Sequence, residues 1–178
     1  AIATGGRITL ENCPVQSMSA SLEMLALAGG AICRRGKSLT VKRAGQFVLP
    51  VEETVSGPFP AFPTDAGAVS MALLSLAQGR SHFCETVFSD RFAVTQGLGK
   101  MGADIFVSGR RATINGVERL HGASVYATDL RAGAALLVAA LSAEGESVID
   151  GARFIKRGYQ AIVPTLRSLG AEIAERSE

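Results

Sequence analysis

The chain has 178 residues, 47 % apolar and 19 % charged, with a net charge of +2, which suffices for the core of one domain. The basic excess is scattered, and two tyrosines without a tryptophan offer little for bases to stack on, so no nucleic-acid partner is expected. The uncharged run 132–143 is shorter than the roughly 20 residues a spanning helix needs, so no membrane partner is expected either.

Cys13, Cys33 and Cys84 are odd in number and lack CxxC spacing, which points to free thiols in a reducing, cytoplasmic compartment. His82 lies near Cys84, but His121 is the only other histidine, so a tetrahedral metal set is not completed. The expectation is therefore no metal and no cofactor. The chain opens at Ala1 without methionine, which suggests a cleavage product or a processed terminus.

In chain order, 6-GRITLENCPVQSMSASLEMLALAGGAI-32 reads as a strand, a helix and a closing glycine pair, and 31–42 as a hairpin turning at Gly36. Pro58, Pro60 and Pro63 then hold the backbone extended up to Thr64. Thr64 or Asp65 suits a helix N-cap, and Ala68, Met71, Ala72, Ser75 and Leu76 follow at helical spacing. On residue types alone, Asp65 is either a cap or an acid held firmly at the positive end of a helix. The segment 79-GRSHFCETVFSDRFAVTQGLGKMGADI-105 runs from strand through Arg91 to helix, and 103–115 alternates as a hairpin turning near Gly109. Thr128-Asp129 opens a Leu-rich helix. A last apolar stripe, Tyr159, Ile162, Val163, Leu166 and Leu169, requires its helix to begin near Pro164 or to bend there.

These pieces repeat. Gly79 and Arg91 stand as far apart as Gly145 and Arg157, and both lead to Gly-Ala-acid-Ile; a third copy begins at Gly6, with Met18 in place of the arginine. Ala31, Ala103 and Ala171 mark the period, roughly seventy residues. The expected unit is βαβαββ, and three around a pseudo-threefold axis form an α/β domain (α+β in some schemes), an inside-out barrel with helices within and sheets without. The units are 1–57, 58–122 and 123–178, with the first incomplete and the last stopping after one strand-length segment. Something outside the chain is expected to supply the missing strand and helix. Threefold placement gathers Asp65, Arg91, Asp129, Arg131 and Arg157 at one end, where helix N-termini add partial positive charge. Such a face suits an anionic substrate with a carboxylate as base; the alternative is that the acids cap helices and the arginines pair with them.

The segments 60-PAFPTD-65, 85-ETVFSDRF-92, 127-ATDLRAGAALLVA-139, 157-RGYQ-160 and 169-LGAEI-173 resemble, in order, the UDP-N-acetylglucosamine enolpyruvyl transferase family of bacterial peptidoglycan synthesis. The resemblance implies a single domain over 1–178, the one containing the family's C-terminus, completed by the N-terminal half of the enzyme or by a second copy. It implies transfer of the enolpyruvyl group of phosphoenolpyruvate to the sugar 3′-hydroxyl, with Asp65 as base. It also places Val87 (through its backbone), Phe88, Arg91, Asp129, Arg131 and Arg157 at the substrates, Arg157 on phosphoenolpyruvate. The family's mobile loop with its acid cysteine and its Lys-Asn pair belong to regions outside this chain, so the chain is expected to be inactive alone. Family members often carry Met-Gln at Ala66-Gly67, glutamate at Ser89 and an acid at Lys156. Those departures support a second reading, a non-catalytic nucleotide-sugar-binding paralogue. A third, an enolpyruvylshikimate phosphate synthase, is disfavoured by Arg157-Gly158-Tyr159 and by the 61–65 motif.

Overall fold

The computed structural model describes residues 1–176. The first third holds β1 (Arg7–Leu10), α1 (Ser19–Leu27), β2 (Gly30–Arg35) and β3 (Ser38–Arg43), and β3 lies antiparallel between β1 and β2. The middle third holds β4 (Thr54–Val55), a 3-10 turn at Thr64–Ala66, α2 (Gly67–Leu74), β5 (Arg80–Cys84), α3 (Val94–Lys100), β6 (Asp104–Ser108) and β7 (Arg111–Asn115). Its sheet order is β4-β5-β7-β6, with β4 parallel to β5 and the other pairs antiparallel. β4 precedes the proline stretch, so the first element of this unit falls at Thr54–Val55 and not at 58. The last third holds β8 (Ser124–Tyr126), α4 (Leu130–Ser142), β9 (Val148–Asp150), α5 (Ala152–Lys156) and α6 (Ile162–Ser168), with β8 parallel to β9.

Among the described residues the whole βαβαββ order is thus present only in the middle third. The first third has the hairpin and β1 but, among the described residues, no parallel partner for β1; the last third has the parallel pair without a hairpin. Residues 171–176 are not a strand, contrary to the sequence expectation. A lone extended segment has no neighbour to take its N–H and C=O groups, and the hairpin that does so in the middle third has no counterpart here.

The strands follow simple alternation. Phe83 on β5 and Ala112 and Ile114 on β7 are fully buried, while their neighbours along each strand face outward. Both hairpins turn where the sequence places them, at Gly36 (φ 61°) and Gly109 (φ 57°), in the left-handed region that glycine occupies without steric cost. Inside the sheets lies α2, buried on every face from Gly67 to Leu74 apart from Val69, and it packs on α4, whose buried residues are Ala132, Gly133, Ala135, Leu136 and Ala139. Small side chains on α4 allow that close approach.

Gly67, one of the departures from the family pattern, has a packing reason. A Cβ there would stand 2.5 Å from the ring of Phe83, which sits edge-on to Phe62 and Phe92 and cannot retreat. The stripe on α6 is less covered than its pattern suggests. No residue of that helix is buried, and Leu169 is 61 % exposed. Pro164 lies in the first turn of α6, where its missing N–H costs little.

Candidate functional site

The prolines deliver the chain to a 3-10 turn whose N-cap is Pro63, extended at φ −70° and ψ 129°. Neither Thr64 nor Asp65 makes a capping hydrogen bond. The capping reading therefore fails for Asp65, and its carboxylate points across to other elements. Oδ1 accepts from Arg131 Nε at 2.5 Å and lies 3.6 Å from Arg91 Nη2. Among the described residues no donor reaches Oδ2. The Asp65 side chain is 67 % exposed, whereas Arg91 is only 16 % exposed, so the acid faces solvent on a largely buried cation.

Asp129 behaves as the other alternative predicted. It is the N-cap of α4, accepting at Oδ1 from the amides of Arg131 (2.8 Å) and Ala132 (3.2 Å). That cap fixes the first turn of α4 and with it the root of Arg131. Arg91 in turn lies over the Phe88 ring, its Cζ 4.3 Å from the centroid. Arg91, Asp129 and Arg131 thus line one depression with Thr64, Phe83 and Asp90, and Asp65 joins it through its bonds to the two arginines.

Two site residues stand differently from the sequence expectation. Arg91 and Arg157 do not end strands: Arg91 follows β5 after a loop, and Arg157 closes α5, which intervenes after β9. Arg157 is exposed and, among the described residues, has no ionic partner. Its neighbour Gly158 packs so tightly on Leu130, the first residue of α4, that a Cβ would lie 2.7 Å from it. That contact keeps Arg157 at the Asp129 end without joining it to the Asp65 cluster. Lys156, another departure, pairs with Glu175.

Sequence reasoning missed Glu85. It is fully buried, yet it collects four donors: Ser56 Oγ (2.8 Å), Val87 N (2.7 Å) and Phe88 N (3.0 Å) on Oε1, and Thr64 Oγ1 (2.5 Å) on Oε2. The available signal was an acid at the end of a strand next to the Val87–Phe88 motif, which spacing alone does not distinguish from a surface residue. Burial pushes this carboxyl upward, but the hydrogen bonds from Thr64, Phe88, Ser56 and Val87 outweigh it and hold the group below its ordinary value. A pKa lowered by folding contributes stability that is present above the unfolded value of about 4.3 and is lost as pH falls through the folded value. Urea midpoints should therefore fall as pH drops below about 4, and Glu85→Gln should flatten that slope. An unchanged slope in the variant would contradict the assignment.

Val87 uses its amide on Glu85, so a ligand can meet its backbone only through the carbonyl, which accepts no hydrogen bond among the described residues. Among those residues no group of three or more His, Cys, Asp or Glu is placed to hold a metal ion. No helix there is long and apolar enough to cross a membrane.

The chain belongs to the EPSP synthase (3-phosphoshikimate 1-carboxyvinyltransferase) family, whose profile matches residues 1–166. It is 43 % identical over 170 residues to the UDP-N-acetylglucosamine 1-carboxyvinyltransferases of Brucella ovis and Brucella canis. Those matches cover 96 % of this chain and 39 % of each relative, so the chain spans about two fifths of their length. Among solved structures, the enolpyruvyl transferase NikO from Streptomyces tendae superposes with a TM-score of 0.86 at 26 % identity, over 97 % of this chain and 42 % of that one. EPSP synthase from Acinetobacter baumannii follows at 0.69 and 17 % identity, over 98 % of this chain and 42 % of that one, a likeness of fold alone.

Proposed function

We propose that this chain is one domain of an enzyme that moves the enolpyruvyl group of phosphoenolpyruvate to the 3′-hydroxyl of UDP-N-acetylglucosamine, in cytoplasmic peptidoglycan synthesis. The observation that carries the reading is Asp65: uncapped, exposed, and clamped through Oδ1 by Arg131 and Arg91 with Oδ2 open. In this reading Oδ2 accepts the proton of the attacking hydroxyl, while the arginines fix the carboxylate plane. The oxygen then adds to C2 of the enolpyruvyl group as an acid from the rest of the enzyme protonates C3, and loss of a C3 proton together with phosphate restores the double bond. Arg157, exposed and without an ionic partner among the described residues, takes the phosphoenolpyruvate anion, and the Val87 carbonyl with the Phe88 face meets the nucleotide sugar. The rest of the enzyme, or a second copy, supplies the strand and helix that close the three units into an inside-out barrel. The rest of the enzyme also supplies the residues this domain lacks.

Of the departures that favoured a non-catalytic binder, Gly67 and Lys156 have local packing and pairing roles, Ser89 is exposed and has no structural explanation, and the Asp65 cluster is intact beside them, so the transferase reading is the stronger. Acceptor choice tests it. With the N-terminal portion present, phosphate release from phosphoenolpyruvate should require UDP-N-acetylglucosamine and should not occur with shikimate 3-phosphate. Release with shikimate 3-phosphate alone would overturn the assignment of the acceptor.

A further inference from the structure

We infer that Glu85 is a positioning residue for this site, its buried carboxylate tying the turn that bears Asp65 to the loop that bears Val87 and Phe88. The two segments are far apart in sequence and meet on this one side chain. Thr64, immediately before Asp65, donates to Oε2; Val87 N and Phe88 N donate to Oε1, and Ser56 Oγ donates to the same oxygen. The surrounding strand ends are locked to match. Thr86 bonds Ser56 through both its amide (3.0 Å) and its hydroxyl (2.5 Å), and Arg110 Nη1 donates to the carbonyls of Thr86 (2.8 Å) and Glu85 (3.3 Å).

A fully buried carboxylate is retained at a desolvation cost, and here three of its four donors belong to the turn that bears Asp65 or to the Val87–Phe88 loop. The consequence is geometric. The inward turn of the Val87 and Phe88 amides leaves the Val87 carbonyl and the Phe88 ring facing out, and the ring supports Arg91, which in turn holds Asp65. Glu85 therefore sets the separation between the acid and the loop, without touching a reacting atom itself.

The inference rests on the transferase reading for its kinetic arm only. Three variants serve: Glu85→Asp, which withdraws the oxygens by about 1.5 Å; Glu85→Gln, whose amide oxygen can still accept from Val87, Phe88 and Ser56; and Thr64→Val, which cuts the tether on the Asp65 side alone. Amide hydrogen exchange on this chain should show Val87 and Phe88 protected, with that protection falling by about tenfold or more in Glu85→Asp while β5, β7 and α4 stay protected. With the N-terminal portion added, kcat should fall roughly a hundredfold in Glu85→Asp, less in Glu85→Gln, and measurably in Thr64→Val, with KM for phosphoenolpyruvate little changed. Unprotected Val87 and Phe88 amides in the unaltered chain would overturn the inference. So would variants whose turnover declines only in proportion to the folded fraction, or a Glu85→Asp protein with undiminished kcat. If the unaltered proteins show no turnover, the transferase reading fails, and the exchange pattern alone decides the role of Glu85.

Discussion

Replacing Asp65 with asparagine should lower turnover by roughly 10²–10⁴-fold while leaving affinity for UDP-N-acetylglucosamine nearly unchanged, the range a positioned general base supplies. Asparagine keeps the bulk of the side chain and one oxygen able to accept from Arg131 Nε, so the cluster stays assembled. What it loses is the negative oxygen that takes the proton in the proposed reaction. Because Asp65 caps no helix, the substitution should also leave thermal stability near that of the parent. This separates it from Asp129→Asn, which acts on a cap with two accepted amide bonds. The readouts are kcat with the N-terminal portion present and nucleotide-sugar binding by titration. Unchanged turnover would remove Asp65 from the chemistry.

The second large effect belongs to Arg157→Ala, which should raise KM for phosphoenolpyruvate by about tenfold to a hundredfold, the loss of one charge-assisted contact of about 1.5–3 kcal/mol. The residue is exposed and has no ionic partner among the described residues, so its removal leaves no buried charge uncompensated. Stability should barely change, and KM for the nucleotide sugar should move far less than that for the anion. Kinetics matching the parent for phosphoenolpyruvate would show that Arg157 does not reach it.

Much of this was legible beforehand, because the repeat and the binary patterns are local signals. The hairpins at Gly36 and Gly109, the buried helix α4 and the proline-led start of α2 follow from turn chemistry and periodicity. Threefold placement of the repeat gathered Asp65, Arg91, Asp129, Arg131 and Arg157 at one end; the structure joins Asp65 to Arg91 and Arg131 beside Asp129 and leaves Arg157 outside that cluster. The division of labour between the acids was not legible. Thr64-Asp65 and Thr128-Asp129 look alike in sequence, but Pro63 leads the first pair into a 3-10 turn whose geometry leaves Asp65 free, whereas Asp129, itself extended at φ −157° and ψ 177°, reaches the first amides of α4. Glu85 was hidden for a related reason: two of its four donors, Ser56 and Thr64, come from segments distant in sequence, and no pattern of spacing predicts that they converge with the Val87 and Phe88 amides. The stripe on α6 shows the opposite failure. Its period correctly marks a helix, but period alone cannot say that a covering partner lies within the same chain.

The most direct test of the central claim is detection of enolpyruvyl-UDP-N-acetylglucosamine, by phosphorus NMR or mass spectrometry, after mixing this chain with the separately prepared N-terminal portion and both substrates. The account predicts product in the mixture and none with either part alone. Two parts that are folded and associated yet make no product would contradict it.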